Sequence, residues 1–214
     1  LHKEYRRQRQ MCIRDSFDAC SLRTLRQDGV EAEALISYLA RLGSSDDPAL
    51  MPFDALAQSY DLSHISRSAA RFDTRQLLAM NHRHLAQLPF SAVVDRLPQG
   101  ATEAFWLAIR SNIDLLSEAK LWLQVTQSHI VPPVQEDEET FLKDAAALLP
   151  PEPWDQTTWK AWTTAVKEKT GRSGKALFHP LRLALTGEEN GPELRDLLPL
   201  IGRAQVLARL NPGQ

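Results

Sequence analysis

Apolar side chains recur along this chain three or four residues apart, the spacing of one face of an α-helix, and no segment alternates as a strand would. The segment from Glu31 to Leu42 is a clear example, and Gly43 after it is a residue type that ends helices. Its apolar face consists of Ala34, Leu35, Tyr38, Leu39 and Leu42. The pattern predicts an all-α fold.

Capping residues divide the pattern into separate helices. Asp73, Thr102 and Asp155 should each cap a helix N-terminus, because their side chains can accept hydrogen bonds from free backbone N–H groups. Pro89 should end the helix that Asp73 starts, and Pro192 should lie in the first turn of a later one. Further helices are predicted over residues 116–125, 138–149 and around 206–210.

Turn residues suggest three helical pieces arranged as consecutive bundles. The Pro98-Gln-Gly100 turn and the proline-rich linker at 150–153 are the best boundaries. The pieces are therefore residues 17–97, 98–150 and 151–214. Residues 1–16 do not fit the pattern: the segment looks like translated adaptor sequence, and a natural basic arm that binds nucleic acid is the alternative.

Composition is that of a globular protein, with 43% hydrophobic and 24% charged residues in 214. No apolar run reaches the roughly 20 residues of a membrane span. Cys12 and Cys20 do not make a disulfide framework, which fits a reducing cytoplasm.

The net charge of −2 is unevenly distributed. Residues 160–214 carry nine Lys and Arg against five acids, whereas residues 131–155 carry seven acids and one lysine. A basic C-terminal piece suits a negatively charged partner. The alternative is that these charges belong to ordinary solvent-exposed faces of mixed charge, which would give the same excess of Lys and Arg.

Residues 171–187 are the most informative segment. A glycine-flanked basic loop with Arg172 and Lys175 leads into an apolar helix that bears Arg182, and Gly187 follows. Arginine can present a planar fork of donors to a phosphate or a base edge. The alternative is a helix with an ordinary C-terminal glycine and an arginine that snorkels to the surface.

Catalytic and metal-binding patterns are weak. There is no nucleotide-binding fingerprint or P-loop. His82 and His84 lie on different helix faces, and the acids at 136–139 are better read as a helix start than as a metal site. Asp61, Ser63 and His64 are sequence neighbours without triad geometry. The Trp159 and Trp162 stripe is interpreted as core, since base stacking requires an exposed ring.

Four motifs, in order from about Phe17, resemble bacterial glutamyl-tRNA synthetases, the class I aminoacyl-tRNA synthetases for glutamate. The motifs are Ser21–Gly29 with Tyr38–Gly43, then Tyr60–Ser66 with Ala70–Asp73, then Gly171–Gly187, and finally Gly191–Arg203. The first motif resembles the segment that follows the family's second catalytic signature. The loop of that signature is missing from this sequence, and Ile13–Ser16 occupies its place. The second resembles the helical stem-contact region, and the last two the anticodon-binding region.

The resemblance implies a C-terminal, tRNA-binding part of glutamate–tRNA ligase. Intact members join glutamate to its tRNA with ATP and Mg²⁺. The adenylation domain with its His-Ile-Gly-His-type motif is absent from this sequence. This polypeptide is therefore expected to bind no cofactor and to be inactive alone. The expected partners are the tRNA for glutamate, with that for glutamine left open, and the N-terminal catalytic domain; neither DNA nor a membrane is expected.

The resemblance also implies roles for particular residues. Arg182 would face anticodon bases, Leu194 would pack on a base, and Arg172 and Lys175 would contact phosphates. Asn112, after Arg110, stands where the family often has an arginine that helps to judge the wobble base. Use of glutamate versus glutamine tRNA therefore stays open. In the stem-contact piece, Arg41 and Arg67 are candidates, and each could equally be an ordinary surface arginine.

Two alternatives remain at this point. One is a stand-alone helical module that binds RNA or serves as a protein-interaction scaffold. The other is an unrelated helical bundle, which the ordered motifs disfavour.

Overall fold

A computed structural model describes residues 21–44, 49–68, 70–128 and 138–211. Segment 1–16 and both cysteines lie outside the described residues. The described part contains α-helices, short 3₁₀ turns and no strand, with one isolated antiparallel bridge between Ser44 and Ile65. The helices are α1 (Leu22–Asp28), α2 (Ala32–Arg41), α3 (Phe53–Ser59), α4 (Thr74–Leu85), α5 (Phe90–Val93), α6 (Glu103–Ile109), α7 (Ala119–Gln127), α8 (Glu139–Ala147), α9 (Thr158–Thr170), α10 (Lys175–Thr186), α11 (Leu194–Ile201) and α12 (Arg203–Leu210). The all-α prediction is confirmed.

Most predicted helix starts are where the capping residues indicated. The side chains of Asp73 and Thr102 accept from the backbone N–H groups of Arg75 and Phe105. Asp155 Oδ1 accepts from the backbone N–H of Thr157 at 2.8 Å, and helix α9 begins at Thr158. These contacts satisfy N–H groups that have no partner within their own helix.

Two helix ends differ from the prediction. Helix α4 stops at Leu85 instead of Leu88, because Ala86 and the residues after it form a tight turn before Pro89. Pro192 precedes α11 instead of lying in its first turn, since Glu193 is the N-cap and the helix begins at Leu194. Proline is acceptable in both positions because neither requires its missing N–H.

The first unit comprises the described residues up to Leu88 together with 114–118. Its core lies between α1, α2 and α4 and consists of Leu25, Ala34, Tyr38, Leu77 and Met80. A buried amide, Asn81, ties three segments together: Oδ1 accepts from the Glu31 backbone N–H at 2.8 Å, and Nδ2 donates to the Asp114 carbonyl at 2.6 Å. This amide fixes the 114–118 segment to α4.

The second unit comprises Pro89–Ile113 and the described residues from Ala119 onward. Helices α8, α9, α10 and α12 pack together, and α11 packs on α6, α7, α9 and α12. Its largest fully buried side chains are Trp106, Trp162, Arg209 and Phe105. The predicted core position of Trp162 is confirmed, with Nε1 donating to the Ala145 carbonyl at 2.8 Å.

Two units thus appear where turn signals predict three pieces. The proline linker at 150–153 does not separate units, because α8 before it packs against α9, α10 and α12 after it. The boundary near Pro98 is displaced to Pro89. Local turn chemistry marks where helices end, whereas tertiary contacts decide which helices share a core.

Candidate nucleic-acid interface

A helical hairpin, α9–loop–α10, carries the basic segment that the sequence singled out. Gly171 ends α9 at φ +69°, a conformation that favours glycine, and its N–H donates to the Lys167 carbonyl. Gly174, at φ +56°, precedes the first residue of α10. The two turns bring Arg172 and Lys175 to the end of the hairpin.

Arg182 lies half-buried in the middle of α10. Its Nη2 donates to the Pro192 carbonyl at 3.1 Å, while Nη1 is buried and has no hydrogen-bond partner among the described residues. Burial lowers the pKa of the Arg182 guanidinium, and the nearby Glu193 carboxylate opposes that shift. Leaving a buried donor without an acceptor is unfavourable by roughly 1–3 kcal/mol, so this side chain has an unused donor within the fold.

The segment from Gly191 to Leu194 faces Arg182 through the Pro192 carbonyl. Gly191 passes so close to Trp122 that a Cβ would lie 2.1 Å from the indole ring, which explains the glycine. Leu194 is only 4% exposed. In this conformation it belongs to the core beneath the segment, while its role in packing on a base stays a prediction.

The two predicted phosphate contacts differ in their surroundings. Arg172 forms an ion pair with Glu138, and its guanidinium lies 4.3 Å from the centre of the Phe141 ring. Lys175 is exposed at the start of α10. Lys175 can therefore reach a phosphate as it stands, whereas Arg172 would exchange its carboxylate partner for one.

The other predicted anticodon residues follow α6. Arg110 is half-buried at the end of that helix, and Asn112 is exposed, with Nδ2 3.4 Å from Ser111 Oγ. Helix α6 packs against α11, whose first residue is Leu194. The structure thus connects this segment to the C-terminal one through helix packing.

A groove of about 510 Å³ lies between α6, α11 and the start of the α9 region. It is lined by Ala104, Leu107, Ala108, Asp155, Gln156, Arg195, Asp196, Pro199 and Leu200. Arg195 is the cation of this groove, and its Nε lies 3.5 Å from Asp196 Oδ2. Arg195 was not among the predicted site residues, although its position directly after Leu194 in the Gly191–Arg203 motif was a signal.

The first unit holds the two weaker candidates. Arg41 Nη2 donates to Ser59 Oγ at 3.2 Å, and Arg67 is exposed. A separate open groove of about 490 Å³ on α4 is lined by Arg75, Leu78, Ala79, His82, Arg83 and Asp114. His82 Nδ1 lies 3.1 Å from Asp114 Oδ1 there.

The other residues that the sequence raised as candidates for chemistry have local structural roles or form no cluster among the described residues. Asp61 Oδ1 accepts from the Ser63 backbone N–H at 2.8 Å, and this bond lowers the pKa of the Asp61 carboxyl, so the carboxylate caps a turn. Across the described ranges no cluster of three His, Cys, Asp or Glu side chains could hold a metal ion. Within the same ranges no helix is long and apolar enough to span a membrane.

Arg209, on α12, is a structural cation that in the sequence is only one of the nine Lys and Arg residues of 160–214. It is 1% exposed, and its nitrogens donate to the carbonyls of Leu185, Val125 and Ser128 at 2.5, 2.7 and 2.8 Å and to Gln205 Oε1 at 2.9 Å. Val125 and Leu185 lie in the last turns of α7 and α10, whose final carbonyls have no partner within the helix. Arg209 therefore joins the ends of both helices.

Comparison with known proteins finds relatives of this chain. A family profile described as an anticodon binding domain matches residues 113–213. The chain is 64% identical over 195 residues to glutamate–tRNA ligase 2 of Gluconacetobacter diazotrophicus and 61% identical over 196 residues to that of Granulibacter bethesdensis. Each match covers 91% of this chain and 44% of the relative, so the chain spans less than half the length of these curated relatives.

Solved structures agree on the fold. A glutamate–tRNA synthetase from Elizabethkingia anophelis superimposes with a TM-score of 0.66 at 19% identity, covering 88% of this chain and 41% of that one. At this identity the likeness shows the helical fold alone, and the sequence matches show the relationship. The chain is therefore similar to the C-terminal part of glutamate–tRNA ligases, and its residues 113–213 match an anticodon-binding domain.

Proposed function

We propose that this chain is the tRNA-binding part of a cytoplasmic glutamate–tRNA ligase and that its second unit reads the anticodon of the tRNA for glutamate. The observation that carries this proposal is Arg182, which has a buried guanidinium nitrogen without a partner in a segment that matches an anticodon-binding domain. A base carbonyl or ring nitrogen is an acceptor that this donor could use after a small movement of the side chain.

Positioning and reading are assigned to different residues. Lys175 and, after release from Glu138, Arg172 would hold backbone phosphates, which orients the RNA without reading its sequence. Arg182 would donate to a base edge. Arg195, in the groove beside α6, is a second cation available to the anticodon loop of the tRNA.

ATP and Mg²⁺ are used by the intact ligase in this proposal. Among the described residues no cluster of three His, Cys, Asp or Glu side chains could hold a metal ion. In this proposal attachment of glutamate belongs to the whole ligase, and the role of this chain is recognition of tRNA. Use of the tRNA for glutamine is a further possibility that Asn112 leaves open.

The test is equilibrium binding of the 214-residue chain to the tRNA for glutamate and to the same tRNA with its anticodon replaced. Replacement should weaken binding by roughly 10- to 100-fold, because one good contact between an arginine and a base provides about 1–3 kcal/mol of discrimination. Arg182→Ala should abolish that difference. Arg96→Ala, which removes an exposed arginine of the same unit, is the matched control and should preserve it.

Salt dependence separates reading from electrostatics. Lys175→Ala should weaken binding to both tRNAs equally and reduce the salt slope by about one. Equal, weak and salt-sensitive binding of both tRNAs would contradict anticodon reading. Absence of binding to either tRNA would favour the alternative of a protein-interaction scaffold.

A further inference from the structure

One face of α10 combines two cations with an exposed aromatic ring. Lys175, Phe178 and Arg182 are three and four residues apart, so they lie along the same side of the helix. Phe178 is 44% exposed and borders the row of buried residues Leu177, Leu181 and Leu185 on the same helix. That buried row packs α10 against the core, and Phe178 lies at its solvent-exposed edge.

The ring of Phe178 is held in place by α9. Its centre lies 6.2 Å from that of the half-buried Trp159 ring, with 36° between the planes. Trp159 in turn meets the buried Trp162 edge-on at 5.6 Å. Because Trp162 is 1% exposed and hydrogen-bonded to the Ala145 carbonyl, this row of rings is anchored in the core at one end and reaches solvent at the other.

A ring fixed in this way, with a cation one turn away on either side, is complementary to unpaired nucleotides. Bases stack on aromatic side chains with little sequence preference, and neighbouring Lys or Arg side chains follow the phosphate backbone. Arg172 adds a third cation at the end of the same hairpin. Positive charge on both sides of the ring favours RNA over an apolar protein surface as the occupant.

We propose that Phe178, supported by Trp159, is a stacking platform for one unpaired base of the RNA, adjacent to the base contact of Arg182. The proposal rests on the function proposed above and adds a residue that sets affinity without reading sequence. The base stacks on the exposed side of the Phe178 ring, while Lys175 and Arg182 contact the flanking nucleotides.

The experiment measures binding of the 214-residue chain to a synthetic RNA hairpin with the anticodon arm of the tRNA for glutamate. A series of hairpins replaces each loop nucleotide in turn by an abasic one, which removes the base and keeps the phosphate. Phe178→Leu and Phe178→Met remove the aromatic ring, and Phe178→Tyr retains it. Phe53→Leu makes the same change at an exposed phenylalanine of the first unit and serves as the matched control.

The expected result is roughly tenfold weaker binding for Phe178→Leu and Phe178→Met, and a change within about twofold for Phe178→Tyr and Phe53→Leu. With one of the abasic hairpins, the loss caused by Phe178→Leu should disappear, because the base that stacks is gone. Thermal unfolding of each variant verifies that it is folded.

The proposal is overturned if Phe178→Leu and Phe178→Met bind as wild type, or if their loss persists with every abasic hairpin. Arg182→Ala distinguishes the two proposals. If Arg182→Ala weakens binding while the Phe178 variants do not, only the stacking platform is wrong. If the wild-type chain does not bind the hairpin, the proposed function and the platform both fail.

Discussion

Arg182 and Arg209 lie on α10 and α12, which pack against each other, yet their surroundings differ. Arg209 is 1% exposed and donates to three backbone carbonyls and one side-chain amide, so its terminal nitrogens serve the fold. Arg182 makes one such bond, and its other terminal nitrogen is buried without a partner among the described residues, whereas in Arg209 the nitrogen without a partner is Nε. The comparison separates an arginine that holds helices together from one that retains capacity for a ligand.

The largest effect is expected from Arg209→Met. Methionine fills similar space but leaves the carbonyls at the ends of α7 and α10 without a donor, so the free energy of unfolding should fall by about 4 kcal/mol. Urea unfolding followed by circular dichroism measures it. Arg96→Met, at an exposed position, is the control and should change the free energy of unfolding little. A similarly small change for Arg209→Met would mean that water molecules satisfy the carbonyls in place of the guanidinium.

A somewhat smaller loss is expected from Leu194→Ala. Leu194 is 4% exposed, so truncation leaves a cavity and should reduce the free energy of unfolding by about 3 kcal/mol. The same unfolding measurement applies. A variant of unchanged stability that binds tRNA more weakly would instead assign Leu194 to base contact and not to the core.

Arg182→Met should change stability by less than about 1 kcal/mol, because the lost bond to the Pro192 carbonyl is offset by removal of an unsatisfied buried donor. Parallel urea unfolding of this variant and Arg209→Met compares the two arginines directly. A loss as large as that of Arg209→Met would remove the distinction between them and weaken the case for Arg182 as a reader.

No effect of pH on the Arg209 contribution is expected near neutrality. Burial lowers the pKa of Arg209 from the ordinary arginine value to about 10. Burying the cation therefore opposes folding below pH 10, and this penalty is relieved only as the pH rises above about 10. Between roughly pH 6 and 9, the difference in free energy of unfolding between wild type and Arg209→Met should stay constant. A clear drift over that range would show that Arg209 titrates there.

Much of the local structure was predictable because its causes are local. Asp73 and Thr102 cap helices as expected, since an N-cap needs only a short polar side chain two or three residues before an available N–H. The glycine-flanked loop that leads into α10 followed for the same reason. The candidate site was predicted in part: the resemblance pointed to Arg182, but not to Arg195 or Phe178.

Long-range contacts account for the errors and omissions. The proline linker at 150–153 reads as a boundary, yet α8 and α9 on either side pack together. Leu194, expected to pack on a base, is 4% exposed, and Gly191 three residues earlier passes close to Trp122; the base contact stays a prediction. Such facts depend on residues far apart in the sequence.

The sequence alone determined that this chain is helical and where most helices begin, because periodicity and capping act over a few residues. It also carried the family relationship, through motifs in a fixed order. Only the tertiary structure decided how each cation is used. A guanidinium becomes part of the fold or remains available to RNA according to which carbonyls packing brings within 3 Å or so of it, and residues from several helices set those distances.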